Sequence, residues 1–143
     1  MSRVRELAER YAAEVWNEGR LAVADELFTM DHRYHDPMLP DLGPGPDGVR
    51  ERVGAFLEGM PDAVVAVEDW VEDRDAVVAR WTWAGTHTGD LLGMPPTGRR
   101  ASATGMHLFR TSGDRIAETW VSYDALGLLT QLGLVTLGVG AAV

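Results

Sequence analysis

Apolar residues recur every three or four positions over roughly the first sixty residues, and at alternate positions over the next sixty. The pattern divides the chain into a helical half and a strand half. Ser2 stands at an N-cap position, and Val4, Leu7, Ala8, Tyr11, Val15 and Trp16 follow at helical spacing until Asn17-Glu18-Gly19 ends the run. Residues 21–28 predict a second, short helix, and residues 31–37 a short extended piece leading into a Pro/Gly-rich loop. A third helix is predicted from about Asp47 to Met60, with Val49, Val53, Phe56, Leu57 and Met60 as its apolar stripe and Pro61-Asp62 as its stop.

Residues 63–71, 76–84, 101–110 and 115–124 then alternate as strands, with turns at residues 72–75 and 111–114, and a last helix starts at about Leu126. Helices first and antiparallel strands afterwards argue a single α+β domain over residues 1–143, its helices packed on one strongly curved sheet. If the four-residue turn pairs Arg110 with Arg115, His107 opposes Glu118, Gly105 opposes Trp120, Ala103 opposes Ser122 and Ala101 opposes Asp124. In that register His107, Trp120, Ser122 and Asp124 share one face and line a cavity suited to a flat apolar ligand. His107 and Asp124 would then lie roughly 20 Å apart in a flat sheet, so only bending or a long ligand joins them.

Composition narrows the partners. A formal charge of −9 repels nucleic acid and anionic membrane surfaces. All 13 basic residues are arginine, so no lysine is available for a Schiff base, and the lack of cysteine removes disulfides and thiolate chemistry. A reducing cytoplasm is the expected compartment. Residues 125–143 carry no charge, but Thr130, Gln131, Thr136 and four glycines interrupt them, which predicts a packed helix or dimer contact rather than a membrane anchor.

Asp124 is the leading chemical candidate. It ends the last strand before the uncharged helix, where burial would raise its pKa toward that of a general acid or base; the alternative is a helix cap. Arg80, between Val78 and Trp81, reads as a buried cation needing Asp124 or Glu118. Trp81, Trp83 and Trp120 supply flat surfaces. Two short patterns lead nowhere: residues 43–48 match a glycine-rich nucleotide loop only by letter, since their prolines remove N–H donors. The odd spacing of His32 and His35 in an extended segment points them apart, away from a shared metal. No metal or cofactor is implied.

The string from Trp83 to Gly133 combines a Gly85-Thr86-His87-Thr88-Gly89 turn, a Pro95-Pro96-Thr97-Gly98-Arg99 loop and an aromatic last strand ending in Asp124. It resembles the SnoaL-like polyketide cyclases, cofactor-free enzymes on a cone-shaped α+β barrel that ketosteroid isomerase, scytalone dehydratase and limonene epoxide hydrolase also use. The resemblance implies an aspartate at Asp124 moving a proton on carbon beside a carbonyl. The stretch from Tyr11 through His35-Asp36-Pro37 is similar to ketosteroid isomerase, which implies Tyr11 as oxyanion donor, Asp36 as base and His107 in place of a second donor. Thr82 and Ser122 stand where limonene epoxide hydrolase has carboxylates, which argues against epoxide hydrolysis.

These readings lead to a homodimeric cyclase that closes a ring in a bulky, apolar polyketide-type substrate by aldol chemistry. Asp124 is its acid/base, with His107, Asp36 and Tyr11 as further catalytic candidates, and Trp120, Arg80, Trp81, Trp83, His35 and Ser122 binding substrate. The alternatives are a double-bond isomerase, a pericyclic or other cyclase, a hydroxylation component, and a non-catalytic ligand-binding module. Residues 91–100 are expected to form a mobile lid.

Overall fold

The computed structural model describes residues 1–138, and the last five residues of the uncharged tail lie outside it. The Ser2 hydroxyl caps α1 (Arg3–Arg10) by accepting the Arg5 N–H at 3.2 Å, and Val4, Leu7 and Ala8 are buried along its inner face. The helix then widens into π-helical turns over Tyr11–Asn17, a geometry often found where a helix borders a functional site. The predicted second helix divides into a 3₁₀ turn (Leu21–Val23) and α2 (Ala24–Leu27). Phe28, expected to close that helix, instead opens β1 (Phe28–His35).

α3 (Gly45–Gly59) starts at Gly45, which takes φ +76 where a Cβ would lie 2.5 Å from the Met30 carbonyl oxygen. Pro46 follows in the first turn, where a missing N–H costs nothing. The alternating stretches form β2 (Val64–Glu72), β3 (Ala76–Thr86), β4 (Arg100–Ser112) and β5 (Arg115–Tyr123), and α4 (Ala125–Gln131) follows. They make one curved, open sheet in the order β1-β5-β4-β3-β2, with β1 parallel to β5 and the other pairs antiparallel. Irregular pairing interrupts β1/β5, β2/β3 and β4/β5, and such bulges bend a sheet toward the helices on its concave side. The α+β expectation holds, with an extra parallel edge strand.

The register of the β4/β5 hairpin differs from expectation. Gly113, at φ +65, allows a two-residue loop, so Ser112 pairs with Arg115. A bulge at Ala117 then brings Arg110 opposite Glu118 rather than Arg115, a shift of three residues. An odd shift exchanges faces. His107 therefore opposes Val121 and faces inward with Thr119 and Tyr123, while Glu118, Trp120 and Ser122 face outward. On β3 the buried set is Val77, Ala79, Trp81 and Trp83, which puts Arg80 outside and exposed instead of buried with a carboxylate.

α4 packs with Leu128 buried, and Leu132 just beyond it is buried too. Among the described residues no helix is long and apolar enough to cross a membrane. The loop over residues 91–100 is tied down. His87 bonds both the Thr97 hydroxyl and the Met94 carbonyl, at 3.0 and 3.2 Å, and buried Leu91 packs on Gly59. None of its residues lines the cavity described below, so it does not sit there as a lid.

Gly105 is where β4 lets Trp81 lie flat across the sheet, since an added Cβ would meet the indole at 2.5 Å and the Tyr123 Cβ at 2.8 Å. Gly105→Ala is expected to cost roughly 1–3 kcal/mol by overpacking, as read from urea unfolding. An unchanged midpoint would show that Trp81 is not held there.

Candidate functional site

Between the concave sheet and the helices lies a partly open, almost wholly apolar cavity. The first helix contributes Ala8, Tyr11 and Trp16, α3 contributes Arg52 and Phe56, and α4 contributes Leu128. The sheet contributes Trp81, Trp83, His107, Phe109 and Tyr123. The aromatic rings meet mostly edge to face, as with Phe56 and Trp83 at 5.7 Å and Tyr11 and Phe109 at 5.9 Å. That arrangement suits rings of positive edge and negative face, and it leaves a slot shaped for another flat system.

One hydrogen-bond chain crosses the cavity wall, and its direction follows from the donors. Trp81 Nε1–H, which can only donate, reaches His107 Nδ1 at 2.7 Å. Nδ1 is therefore an acceptor, and the neutral imidazole carries its proton on Nε2. That proton is donated to the Tyr34 hydroxyl at 2.7 Å, and the Tyr34 and Tyr11 hydroxyls bond at 2.9 Å; Tyr34 as donor is the arrangement that leaves its own buried proton bonded. The Tyr11 proton has no partner in this chain of bonds and belongs to a residue lining the cavity. Burial, and then the charge of Arg52, hold His107 well below the usual histidine pKa, so it stays neutral. Burial likewise raises Tyr34 well above the usual tyrosine value.

A second polar element is an ion pair with almost no exposure. Arg52 Nε donates to Asp36 Oδ2 at 2.8 Å, with 3% and 0% of the two side chains exposed. The Asp36 carboxylate also accepts the Met38 N–H at 2.9 Å and the Tyr123 hydroxyl at 3.2 Å. Asp36 thus both forms the turn before Met38 and anchors the arginine. The guanidinium lies over Tyr34 at 4.8 Å and Phe56 at 5.1 Å, a cation–π arrangement with aromatic neighbours on several sides. Burial works against its charge, but the Tyr34, Tyr11 and Asp36 oxygens more than offset that and raise its pKa. Burial also raises Tyr123, as does Asp36.

The structure brings together Tyr11, His107, Trp81 and Trp83 around the cavity, with Asp36 buried behind its wall and bonded to Arg52 and Tyr123. It separates them from the others. Asp124 is exposed and caps α4, its carboxylate accepting the Gly127 N–H at 2.8 Å, because Tyr123 occupies the inward position at the strand's end. Trp120 lies on the outer face, stacked on His35 at 5.1 Å. His35 bonds Glu118 there at 2.7 Å, and Ser122 is exposed on the same side. With Arg80, these residues lie outside the cavity because of the register shift and the alternation of β3. His32, by contrast, turns inward to Thr119 at 2.8 Å, so the two histidines occupy opposite faces.

Arg52, Tyr34 and Tyr123 are site residues that the sequence reading passed over. The signal for Arg52 was present: it sits three residues after Val49 and four before Phe56, on the apolar stripe of α3. A charged residue at such a position needs a buried partner. Tyr34 and Tyr123 carried no comparable signal, since their inward orientation depends on bulges.

An aromatic slot on a curved α+β sheet is suited to a flat, largely apolar molecule. The chain belongs to the SnoaL-like polyketide cyclase family, whose model matches residues 6–132, and by that membership it is an enzyme of the SnoaL-like cyclase type. It is 38% identical over 131 residues to the aklanonic acid methyl ester cyclase DnrD of Streptomyces peucetius, a match covering 87% of each chain. To the nogalonic acid methyl ester cyclase of Streptomyces nogalater it is 31% identical over 119 residues, 82% of this chain and 89% of that one. The solved structure of TsrD from Streptomyces laurentii matches with a TM-score of 0.83 at 29% identity, covering 93% of this chain and 96% of that chain.

Two measurements check the electrostatics. In ¹⁵N NMR, His107 is expected to remain the neutral Nε2–H form at pH 6.5, the ordinary histidine midpoint, and Trp81→Phe to release Nδ1 and alter the tautomer; a half-protonated His107 there would contradict the chain of donors. Burial lowers His32 to about 4, against 6.5 when exposed. Between those values the unfolded chain binds a proton that the folded chain does not, so stability is complete above 6.5 and falls as pH drops toward 4. The loss should approach about 3 kcal/mol, and His32→Gln should flatten the slope seen by chemical unfolding between pH 7.5 and 5. Parallel slopes for parent and variant would refute this.

Proposed function

We propose that this chain catalyses, without a cofactor, the aldol-type ring closure of a flat, oxygen-rich polyketide-type substrate held in the aromatic slot. The observation that carries this is the Tyr11 hydroxyl, whose proton the neutral His107–Tyr34 chain leaves free for an oxygen in the cavity. Ring closure of this type develops negative charge on a carbonyl oxygen, and a preorganised donor in an apolar site stabilises that charge. The relatives named as aklanonic and nogalonic acid methyl ester cyclases support a ring-forming reaction.

Asp36 is the proposed proton acceptor. Among the described residues it is the carboxylate bonded to cavity-lining side chains, through Tyr123 and Arg52. A proton leaves the substrate carbon for the Tyr123 oxygen while the Tyr123 proton passes to Asp36; the reverse transfer protonates the new alkoxide. His107 acts through Tyr34 and Tyr11, so it positions rather than reacts. Trp81 and Trp83 shape the folded substrate. Asp124, which the family resemblance favoured, is the competing carboxylate and caps the helix beside Tyr123.

With aklanonic acid methyl ester as the assay substrate, Tyr11→Phe is expected to lower kcat roughly 10²-fold, the scale of one lost oxyanion donor. Asp36→Asn should lose roughly 10²-fold or more, with the folded fraction checked by circular dichroism, whereas Asp124→Asn, which keeps a good helix cap, should lose little. A 10²-fold loss in Asp124→Asn with Asp36→Asn near parent activity would transfer the acid/base role to Asp124. Tight binding with no turnover by the parent chain would replace the enzyme reading by ligand binding.

The same proposal includes a homodimer and a cytoplasmic location. The dimer is supported by apolar side chains exposed on the outer sheet and near the C-terminus, among them Met30 at 83%, Val71 at 65% and Met106 at 51%. The compartment is supported by a sequence without cysteine. Light scattering should give about twice the 15.6 kDa chain mass; the single-chain mass at micromolar concentration would contradict the dimer.

A further inference from the structure

Two buried donors in the cavity wall have no partner. Arg52 Nη1 and Trp83 Nε1 are both sealed from solvent and unbonded, and both residues line the cavity. They border the same two rings: Arg52 lies 5.7 Å from Trp16 and 5.1 Å from Phe56, and Trp83 lies 6.3 and 5.7 Å from them. Buried donors in native proteins are nearly always satisfied, so two orphans beside one cavity point to acceptors supplied by a ligand. With Tyr11 they make a wall whose free polar points all donate.

Charge identifies the kind of acceptor. Around Arg52 the titratable groups are Asp36 at the end of β1, Tyr34 within it, Tyr11 on the first helix, and Tyr123 and His107 on the sheet. Among these only Asp36 balances the guanidinium, through one of its nitrogens. An anionic ligand entering the site would leave an uncompensated buried charge. A neutral ligand that hands its proton to Asp36 would not, because the positive Arg52 then pairs with the new anion instead of the carboxylate.

We infer that Arg52 and Trp83 form an anion subsite for an ionised enol or phenol oxygen, the type carried by β-dicarbonyl and hydroxyquinone compounds, and that Arg52 exchanges Asp36 for this oxygen as Asp36 takes the proton. The ligand's O–H or C–H bond breaks, its electron pair stays on the ligand as enolate or phenolate, and the proton ends on Asp36. No bond to the protein forms and no electron is transferred. The ligand class rests on the reading of this cavity as a cyclase site, but the subsite is tested without turnover.

Alizarin, a hydroxyanthraquinone whose anion absorbs at longer wavelength than its neutral form, serves as the probe with the full-length chain. Bound alizarin is expected to ionise at a pH at least one unit lower than free alizarin. Trp83→Phe, which keeps an aromatic ring but loses the N–H donor, should weaken binding of the anion about fivefold or more. Replacing both members of the ion pair, Asp36→Asn with Arg52→Gln, avoids a lone buried charge and should abolish the shift. Alizarin that binds but ionises at its free pH, or a shift retained in the double variant, would overturn the subsite. A shift that is present in a chain inactive on aklanonic acid methyl ester would sustain the subsite and refute only the cyclase reading.

Discussion

The arrangement of the cavity depends on burying one guanidinium. Arg52 sits on the apolar stripe of α3 and can stay there only because Asp36 meets it at 2.8 Å. Removing either partner of such a pair typically costs about 3–5 kcal/mol, since the other is left charged in an apolar interior. The pair joins the end of β1 to the middle of α3, and Tyr123 joins β5 to the same carboxylate. Three elements distant in sequence are thereby fixed around one point, and the aromatic rings pack outward from it.

From that point the polar design of the site becomes consistent. Asp36 accepts, Arg52 donates, and the neutral His107 passes a donor direction from Trp81 to Tyr11 without carrying charge. An apolar slot can hold such groups because each is satisfied or aimed at the ligand space. Charge developing on a substrate oxygen would meet only donors there, while the acidic surface of the molecule, net −9, stays outside.

Much of the fold was legible in the chain. The change from a three-to-four interval to an interval of two located three of the helices and four of the strands, and the string around Gly85, Pro95 and Asp124 pointed to the family. The site was less legible because it depends on parity. One bulge at Ala117 converts an inward Trp120, Ser122 and Asp124 into outward residues, and no propensity announces a bulge. Arg80 was misplaced because Val77 and Val78 are both apolar, so the strand's inward set could not be chosen from hydrophobicity alone. Tyr11, Trp81 and Trp83 line the cavity because the helix stripe and the β3 alternation point them inward, and His107 does so through the alternation of β4.

The central claim is that substrate oxygen atoms meet a wall of donors formed by Tyr11, Arg52 and Trp83. A crystal structure with aklanonic acid methyl ester or its ring-closed product tests this most directly. The rings are expected between Phe56 and Trp81, with ligand oxygens within hydrogen-bond distance of the Tyr11 hydroxyl and Arg52 Nη1. A ligand ordered against the outer face, at Trp120 and Asp124, or one placing only hydrocarbon toward Tyr11 and Arg52, would contradict it.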